Sequence, residues 1–213
     1  MKNELYIIDD HTMVRSGLKN WLEQNTDWKV PFVFSSSEEC LEHLASIKAL
    51  SKQKSEAENL YPEIIIIDIQ LVQETGFVLL KKITSEYKSI KCVMYSMYDT
   101  SGYILQARDY GAKGYISKVA SEQEMAECLE VVKNGGSYLE DKMKASLIKV
   151  DNIVSMLTKS EKAILEYLLQ EKTNEQISEI MFISVRTVEN YVSRLYDKLD
   201  VKNRAQLMER YGG

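Results

Sequence analysis

The chain has 213 residues, 45% of them hydrophobic and 28% charged, with a net charge of −5. That length allows one large or two modest domains, no apolar run approaches the roughly 18 residues of a membrane span, and the acidic balance gives no global pull toward nucleic acid, so any DNA binding must be local. Two histidines, His11 and His43, leave little for a zinc site or a Ser-His-Asp triad, and three widely spaced cysteines, Cys40, Cys92 and Cys128, sit among apolar residues as buried reduced thiols do.

Met1-Lys2-Asn3-Glu4 leads straight into an apolar strand, Leu5-Tyr6-Ile7-Ile8, with no room for a secretion signal, so a cytoplasmic protein is expected. The strand ends in Asp9-Asp10. A helix follows over about residues 12–23, with Met13, Leu18, Trp21 and Leu22 on one face. Val30 to Phe34 reads as a second strand, placed at an edge by Pro31, and Ser35 to Ser37 cap the next helix. Its charged continuation, Lys48 to Glu58, reads as a solvated extension or loop, with partner binding the lesser alternative.

Glu63-Ile64-Ile65-Ile66-Ile67-Asp68 is the centre of the pattern. A continuous β-branched run suits a parallel strand covered on both faces, and Asp68 falls at its carboxyl end, where open α/β sheets bind ligands. Taken alone, Asp68 reads equally as a turn carboxylate. Gly76 opens a helix to about Tyr87, Ile90 to Tyr95 forms a fourth strand ending in Ser96, and a helix spans about residues 100–110. Tyr115-Ile116-Ser117 is a short strand ending in Lys118, and a helix from Ser121 to Val132 stops at Asn134-Gly135-Gly136.

Five strands alternating with five helices predict a doubly wound, five-stranded parallel sheet. Asp9, Asp10, Asp68, Ser96 and Lys118 then all lie at carboxyl ends of strands, a coincidence that turns alone do not explain. Clustered carboxylates repel one another and call for a hard cation; oxygen ligands favour Mg²⁺. Lys118 and Ser96 suit a phosphoryl group, and with no Gly-rich phosphate loop in the chain, that phosphoryl is expected on a protein carboxylate rather than on a nucleotide.

Asp9-Asp10-His11-x-x-Val14-Arg15-x-Gly17-Leu18, the Asp68 strand, Gly76, Ser96 and Gly114-Tyr115-x-x-Lys118 resemble the receiver domain of bacterial two-component response regulators of the NarL/FixJ group, over about residues 1–135. The resemblance implies a flavodoxin-like fold, Asp68 as phosphoacceptor, and Mg²⁺ held by Asp9, Asp10, Asp68 and the backbone carbonyl of Gln70. It further implies Ser96 and Tyr115 as a switch pair, Lys118 as the phosphoryl-binding cation, and a protein that is no enzyme beyond its own aspartyl phosphorylation and dephosphorylation. For Tyr115 a plain strand aromatic is the competing reading. Leu71-Val72 replaces the family's Met-Pro, and Met97 stands where a small residue is common. With Gln70 and Tyr98 at the positions that tune phosphoryl lifetime, a slowly exchanging phosphosite is expected.

Residues 136–152 read as a linker with a short helix near Asp141 to Lys149. A smaller all-α helix-turn-helix unit over residues 153–213 follows. Thr158 with Glu161 forms a capping box, Thr173-Asn174 caps a second helix, and the turn Phe182-Ile183-Ser184 leads to a third over residues 185–199. That helix carries an inward stripe of Val188, Val192, Leu195 and Leu199, and a fourth spans residues 203–211. Leu157-Thr158-x-x-Glu161, Asn174-x-x-Ile177, Ile183-Ser184-x-x-Thr187-Val188-Glu189 and Lys198-Leu199-x-Val201-x-Asn203-Arg204 resemble the LuxR-type DNA-binding domain.

Carried over by position, Glu189, Asn190 and Ser193 face bases, with Thr187, Arg194, Lys198 and Arg204 as phosphate contacts. From Asp151 on there are nine basic and ten acidic residues, and Glu189 stands where the family commonly has Lys, which implies modest affinity dependent on dimerisation. The function implied is a transcription factor phosphorylated by a sensor histidine kinase, dimerising and binding double-stranded DNA, with no membrane partner. A phosphorylation-independent binding module is the alternative. An Mg²⁺-dependent phosphohydrolase of the haloacid-dehalogenase type requires a second Asp two positions after Asp9, where this chain has His11.

Overall fold

The computed structural model describes residues 3–51 and 60–211, so most of the charged segment Lys48 to Glu58 lies outside the described residues. The chain divides into two compact units, residues up to 98 with 106–140 and residues 99–105 with those from 141 on. Up to residue 140 the elements alternate: β1 (Glu4–Ile8), α1 (Thr12–Asn25), β2 (Lys29–Phe34), α2 (Ser37–Ser51), β3 (Ile64–Asp68), α3 (Gly76–Glu86), β4 (Lys91–Ser96), α4 (Ser101–Asp109), β5 (Gly114–Ser117), α5 (Glu122–Lys133) and β6 (Tyr138–Leu139). The strands form one sheet in the order β2-β1-β3-β4-β5-β6, every pairing parallel.

All five residues of β3 are buried, as the unbroken Ile run requires of a strand covered on both faces. On one face Leu5, Ile7, Ile64, Ile66, Val93 and Ile116 pack with Leu22 of α1 and Met125, Cys128, Leu129 and Val132 of α5. On the other, α2 meets β2 while α3 meets β3 and β4. Pro31 sits in an edge strand, as expected, and the three cysteines are buried and unbridged. Chain order reverses between β1 and β3, the switch point at which such sheets open a crevice beyond their carboxyl ends.

The sheet has one strand more than the sequence reading predicts. Part of the expected linker, Tyr138–Leu139, pairs with the outer side of β5 (Gly114↔Tyr138, Tyr115↔Leu139). Glu140, 2% exposed, ends it with a carboxylate that accepts the Ser117 backbone N–H. The helix expected near Asp141 to Lys149 is longer, α6 (Asp141–Ser155). A strand of two residues has too few positions to show alternation, and its identity comes wholly from the partner it meets.

Gly76 is required by a close approach. A Cβ there would lie 1.9 Å from the backbone oxygen of Asp68 and 3.0 Å from Ile67 Cγ2. The obstruction is main chain, which cannot rotate away. Gly76→Ala is expected to cost about 3 kcal/mol by overpacking, read as a lower urea midpoint; an unchanged midpoint would show that the carbonyl yields freely.

From residue 141 on, the second unit is built of α6, α7 (Lys159–Leu169), α8 (Asn174–Met181), α9 (Val185–Leu199) and α10 (Arg204–Tyr211). Thr158 and Thr173 each close a full capping box, with Glu161 and Gln176, and Ser184 caps α9 by accepting the Thr187 N–H. Val188, Val192, Leu195 and Leu199 form the buried stripe of α9 and join Ile164, Leu168, Ile177 and Leu207 in one core. Phe182, in the left-handed region at φ 54°, turns α8 into α9.

Candidate functional site

Asp9 follows β1, Asp68 ends β3, Ser96 ends β4 and Lys118 follows β5, so the parallel register brings all four to one sheet edge. The Lys118 ammonium, 11% exposed, lies 2.7 Å from both Asp9 Oδ2 and Asp68 Oδ2. Ligand atoms of Asp9, Asp10, His11 and Asp68 fall within 4.8 Å of one another. Asp9 Oδ2 and Asp10 Oδ1 are buried and accept no hydrogen bond of good geometry; their neighbours are the Lys118 ammonium and, at 2.6 Å, the His11 imidazole. Carboxylate oxygens with unused lone pairs, crowded at a strand edge, fit a hard divalent cation. His11 also donates its backbone N–H to Asp9 Oδ1 at 2.8 Å, and the Arg15 guanidinium grips the Asp9 carbonyl.

The charges of the pocket pull against one another. Burial pushes the Asp68 carboxyl above its ordinary range and the Asp9 charge adds to this, against the hydrogen bond and charge of Lys118 and the backbone N–H of Gln70. Burial alone would lower Lys118, but its hydrogen bond to Asp68 and the Asp9 carboxylate at 2.7 Å carry it above its ordinary value. A simple ion pair would lower Asp68 while raising Lys118, and only the lysine follows. The reason is that Asp68 is nearly sealed from water and shares its cation with a second buried carboxylate.

Ser96 and Tyr115 converge on one residue. Ser96 Oγ accepts the Tyr98 N–H at 3.0 Å, and the buried Tyr115 hydroxyl donates to the Tyr98 carbonyl at 2.5 Å. Gln70 Nε2 in turn donates to the Tyr98 hydroxyl at 2.6 Å, tying the loop after β3 to the loop after β4. That first loop has no proline to shape it and is closed instead by a bridge between Gln70 and Thr75 and by the Gly76 N–H donating to the Ile69 carbonyl at 2.8 Å. Met97 is 63% exposed, so its bulk stands largely in solvent. The Gln70–Tyr98 bond and Glu140 were not legible as contacts, since each joins residues distant in sequence.

In the second unit Glu189, Asn190, Ser193 and Arg194 lie together on the exposed side of α9, opposite the buried stripe. Thr187 is half-buried, its hydroxyl 2.8 Å from Ser184 Oγ within the cap. Two of the expected phosphate contacts also have partners within the unit. Lys198 Nζ bonds both carboxylate oxygens of Glu161, at 2.7 and 2.8 Å, and Arg204 Nη2 donates to the Leu168 carbonyl at 2.9 Å. Glu161 is 4% exposed, so Lys198 neutralises a buried acid and holds α9 to α7. Both cations therefore serve the unit's own packing.

Residues 5–130 match the response regulator receiver domain, and residues 155–210 match the bacterial regulatory proteins of the luxR family. Similar proteins include the oxygen regulatory protein NreC of Staphylococcus carnosus, 28% identical over 97% of this chain and 95% of that protein. The DNA-binding transcriptional activator DevR/DosR of Mycobacterium tuberculosis is 28% identical over 95% of this chain and 91% of its own length. The fold is shared with RcsB in its DNA complex, at a TM-score of 0.71 with 20% identity over 97% of this chain and 96% of that one.

Proposed function

Since the chain belongs to the response regulators, a receiver domain followed by a LuxR-type DNA-binding domain, we propose that Asp68 accepts a phosphoryl group from a sensor histidine kinase and that the acyl phosphate controls dimerisation and binding to double-stranded DNA. The observation that carries this is the Lys118 ammonium at 2.7 Å from both Asp9 and Asp68, a cation placed where an added phosphoryl oxygen would need one. The Asp68 carboxylate attacks phosphorus and the kinase imidazole leaves. Lys118 passes from the carboxylates to a phosphoryl oxygen, and the Ser96 hydroxyl turns from the Tyr98 N–H to another. With Ser96 withdrawn and Tyr115 released from the Tyr98 carbonyl, the loop after β4 is free to rearrange.

Mg²⁺ fits the donor set of Asp9, Asp10, Asp68 and the Gln70 carbonyl, and when bound it neutralises the charge gathered there. Gln70 and Tyr98, bonded to each other, are the residues to tune the acyl phosphate's lifetime, with Met97 beside them. Glu189, Asn190 and Ser193 read bases while Thr187, Arg194, Lys198 and Arg204 meet the backbone. Among the described residues no helix is long and apolar enough to cross a membrane; exchange with a kinase and with operator DNA would call for a cytoplasmic protein. The name of DevR/DosR and the solved RcsB dimers on DNA accord with a dimeric DNA-binding regulator.

The test uses acetyl phosphate with Mg²⁺ on the full chain. Wild type should gain one phosphoryl mass and shift toward dimer; Asp68→Asn should do neither. No gain in wild type, or an equal gain in both, defeats the proposal.

A further inference from the structure

We propose that Glu189 makes the recognition helix α9 select cytosine, so that each half-site carries a C·G pair where a basic residue at this position would demand guanine. This rests on the DNA-binding reading above and specifies what that surface takes. Glu189 is exposed on the face opposite Val188, Val192, Leu195 and Leu199, beside Asn190 and Ser193. Among the described residues its side chain enters no ion pair and no hydrogen bond, although Arg186 stands one turn before it and Arg194 five residues on. Its carboxylate is thus uncommitted, in contrast to Glu161, which is held by Lys198 and the Thr158 cap.

An uncommitted acid on a DNA-facing helix is repelled by phosphate and loses its hydration on docking, so only a donor on a base edge offsets the loss. The major groove offers two such donors, cytosine N4 and adenine N6. Adenine sets the acceptor N7 beside its amino group, so a carboxylate meets one attraction and one repulsion, whereas the amide of Asn190 satisfies both atoms. Cytosine sets only C5–H on its own side of N4, so its amino group has one neighbouring acceptor, O6 of the paired guanine, where that of adenine has two, its own N7 and thymine O4. Guanine shows two acceptors and thymine an acceptor and a methyl, so both repel or exclude the acid. Glu189 therefore selects cytosine and leaves adenine to Asn190.

The experiment selects duplexes from a random library with the full-length chain, supplied with acetyl phosphate and Mg²⁺, as wild type, Glu189→Gln and Glu189→Lys. Urea midpoints should match, because the Glu189 side chain is exposed and makes no internal bond. Wild type should fix cytosine at one position per half-site, with about tenfold weaker binding when that base is changed. Glu189→Gln should move the preference there to adenine and Glu189→Lys to guanine, with other positions unaltered. Identical preferences in all three proteins, or a wild-type site without cytosine at the position that the substitutions alter, would overturn the assignment. No enrichment from any of the three would overturn the DNA-binding reading and the assignment with it, a result distinct from enrichment that ignores residue 189.

Discussion

Lys118→Met should destabilise the first unit by about 3 kcal/mol at neutral pH without divalent cations, because it leaves two buried carboxylates with no cation between them. Methionine fills most of the volume, so the loss is of charge rather than packing. The pH dependence follows from the directions of the two shifts. Asp68 is raised, chiefly by burial, so its contribution is complete below its ordinary 3.8 and is lost as pH rises through the folded value. Lys118 is also raised, so its contribution is complete below its ordinary 10.5 and is lost only above that. Removing the ammonium raises Asp68 further, and the variant's deficit opens as pH climbs out of the carboxylate range. Urea unfolding at pH 3 and pH 7 should show a small difference at the lower pH and the full one at the higher. Millimolar Mg²⁺ should restore much of the deficit at pH 7 by taking the cation's place. Phosphorylation should nevertheless stay at least about a hundredfold slower, since a fixed donor to the transferring oxygen is gone. A variant as stable as wild type at pH 7 would mean that the ammonium does not hold these carboxylates in the folded chain.

Glu161→Ala is the second large effect, in the DNA-binding unit. One carboxylate closes the α7 capping box with Thr158 and neutralises Lys198 of α9. The hydrogen bonds from Lys198 and from the Thr158 backbone pull its pKa from 4.5 to about 2. A lowered folded pKa contributes stability that is present above the unfolded value and lost as pH falls through the folded one. The wild-type advantage should be on the order of 2 kcal/mol at neutral pH, discounted from the full linkage because the Lys198 side chain is 42% exposed, and should fade between pH 4.5 and 2. Thermal unfolding of both proteins across that range measures it. A deficit that does not change with pH would assign the loss to packing instead.

The receiver pocket was legible because its residues are marked locally: each follows or ends an apolar run, and a parallel sheet brings strand ends together without any knowledge of side-chain contacts. Caps were legible for the same reason, since Thr158 and Glu161 lie within one turn. What escaped is nonlocal. Gln70 meets Tyr98 across 28 residues and Lys198 meets Glu161 across 37, and nothing in the spacing of either pair distinguishes a partner from a solvated side chain. For Lys198 the position on the helix suggested a phosphate contact, but nothing in the sequence pointed to the buried acid that it also bonds.

The short strand β6 bears on where this chain can be divided. Parallel sheets leave a row of unpaired N–H and C=O groups along each outer strand, and such a row recruits strands from other molecules. A fragment ending at residue 135 would bare that side of β5 and take the carboxylate away from the Ser117 N–H, one residue before the lysine of the pocket. Ending at Glu140 instead keeps the sheet sealed by its own chain. The last residues of the receiver therefore act as a protective hem, and aggregation of the shorter fragment would reflect the cut rather than the stability of the domain.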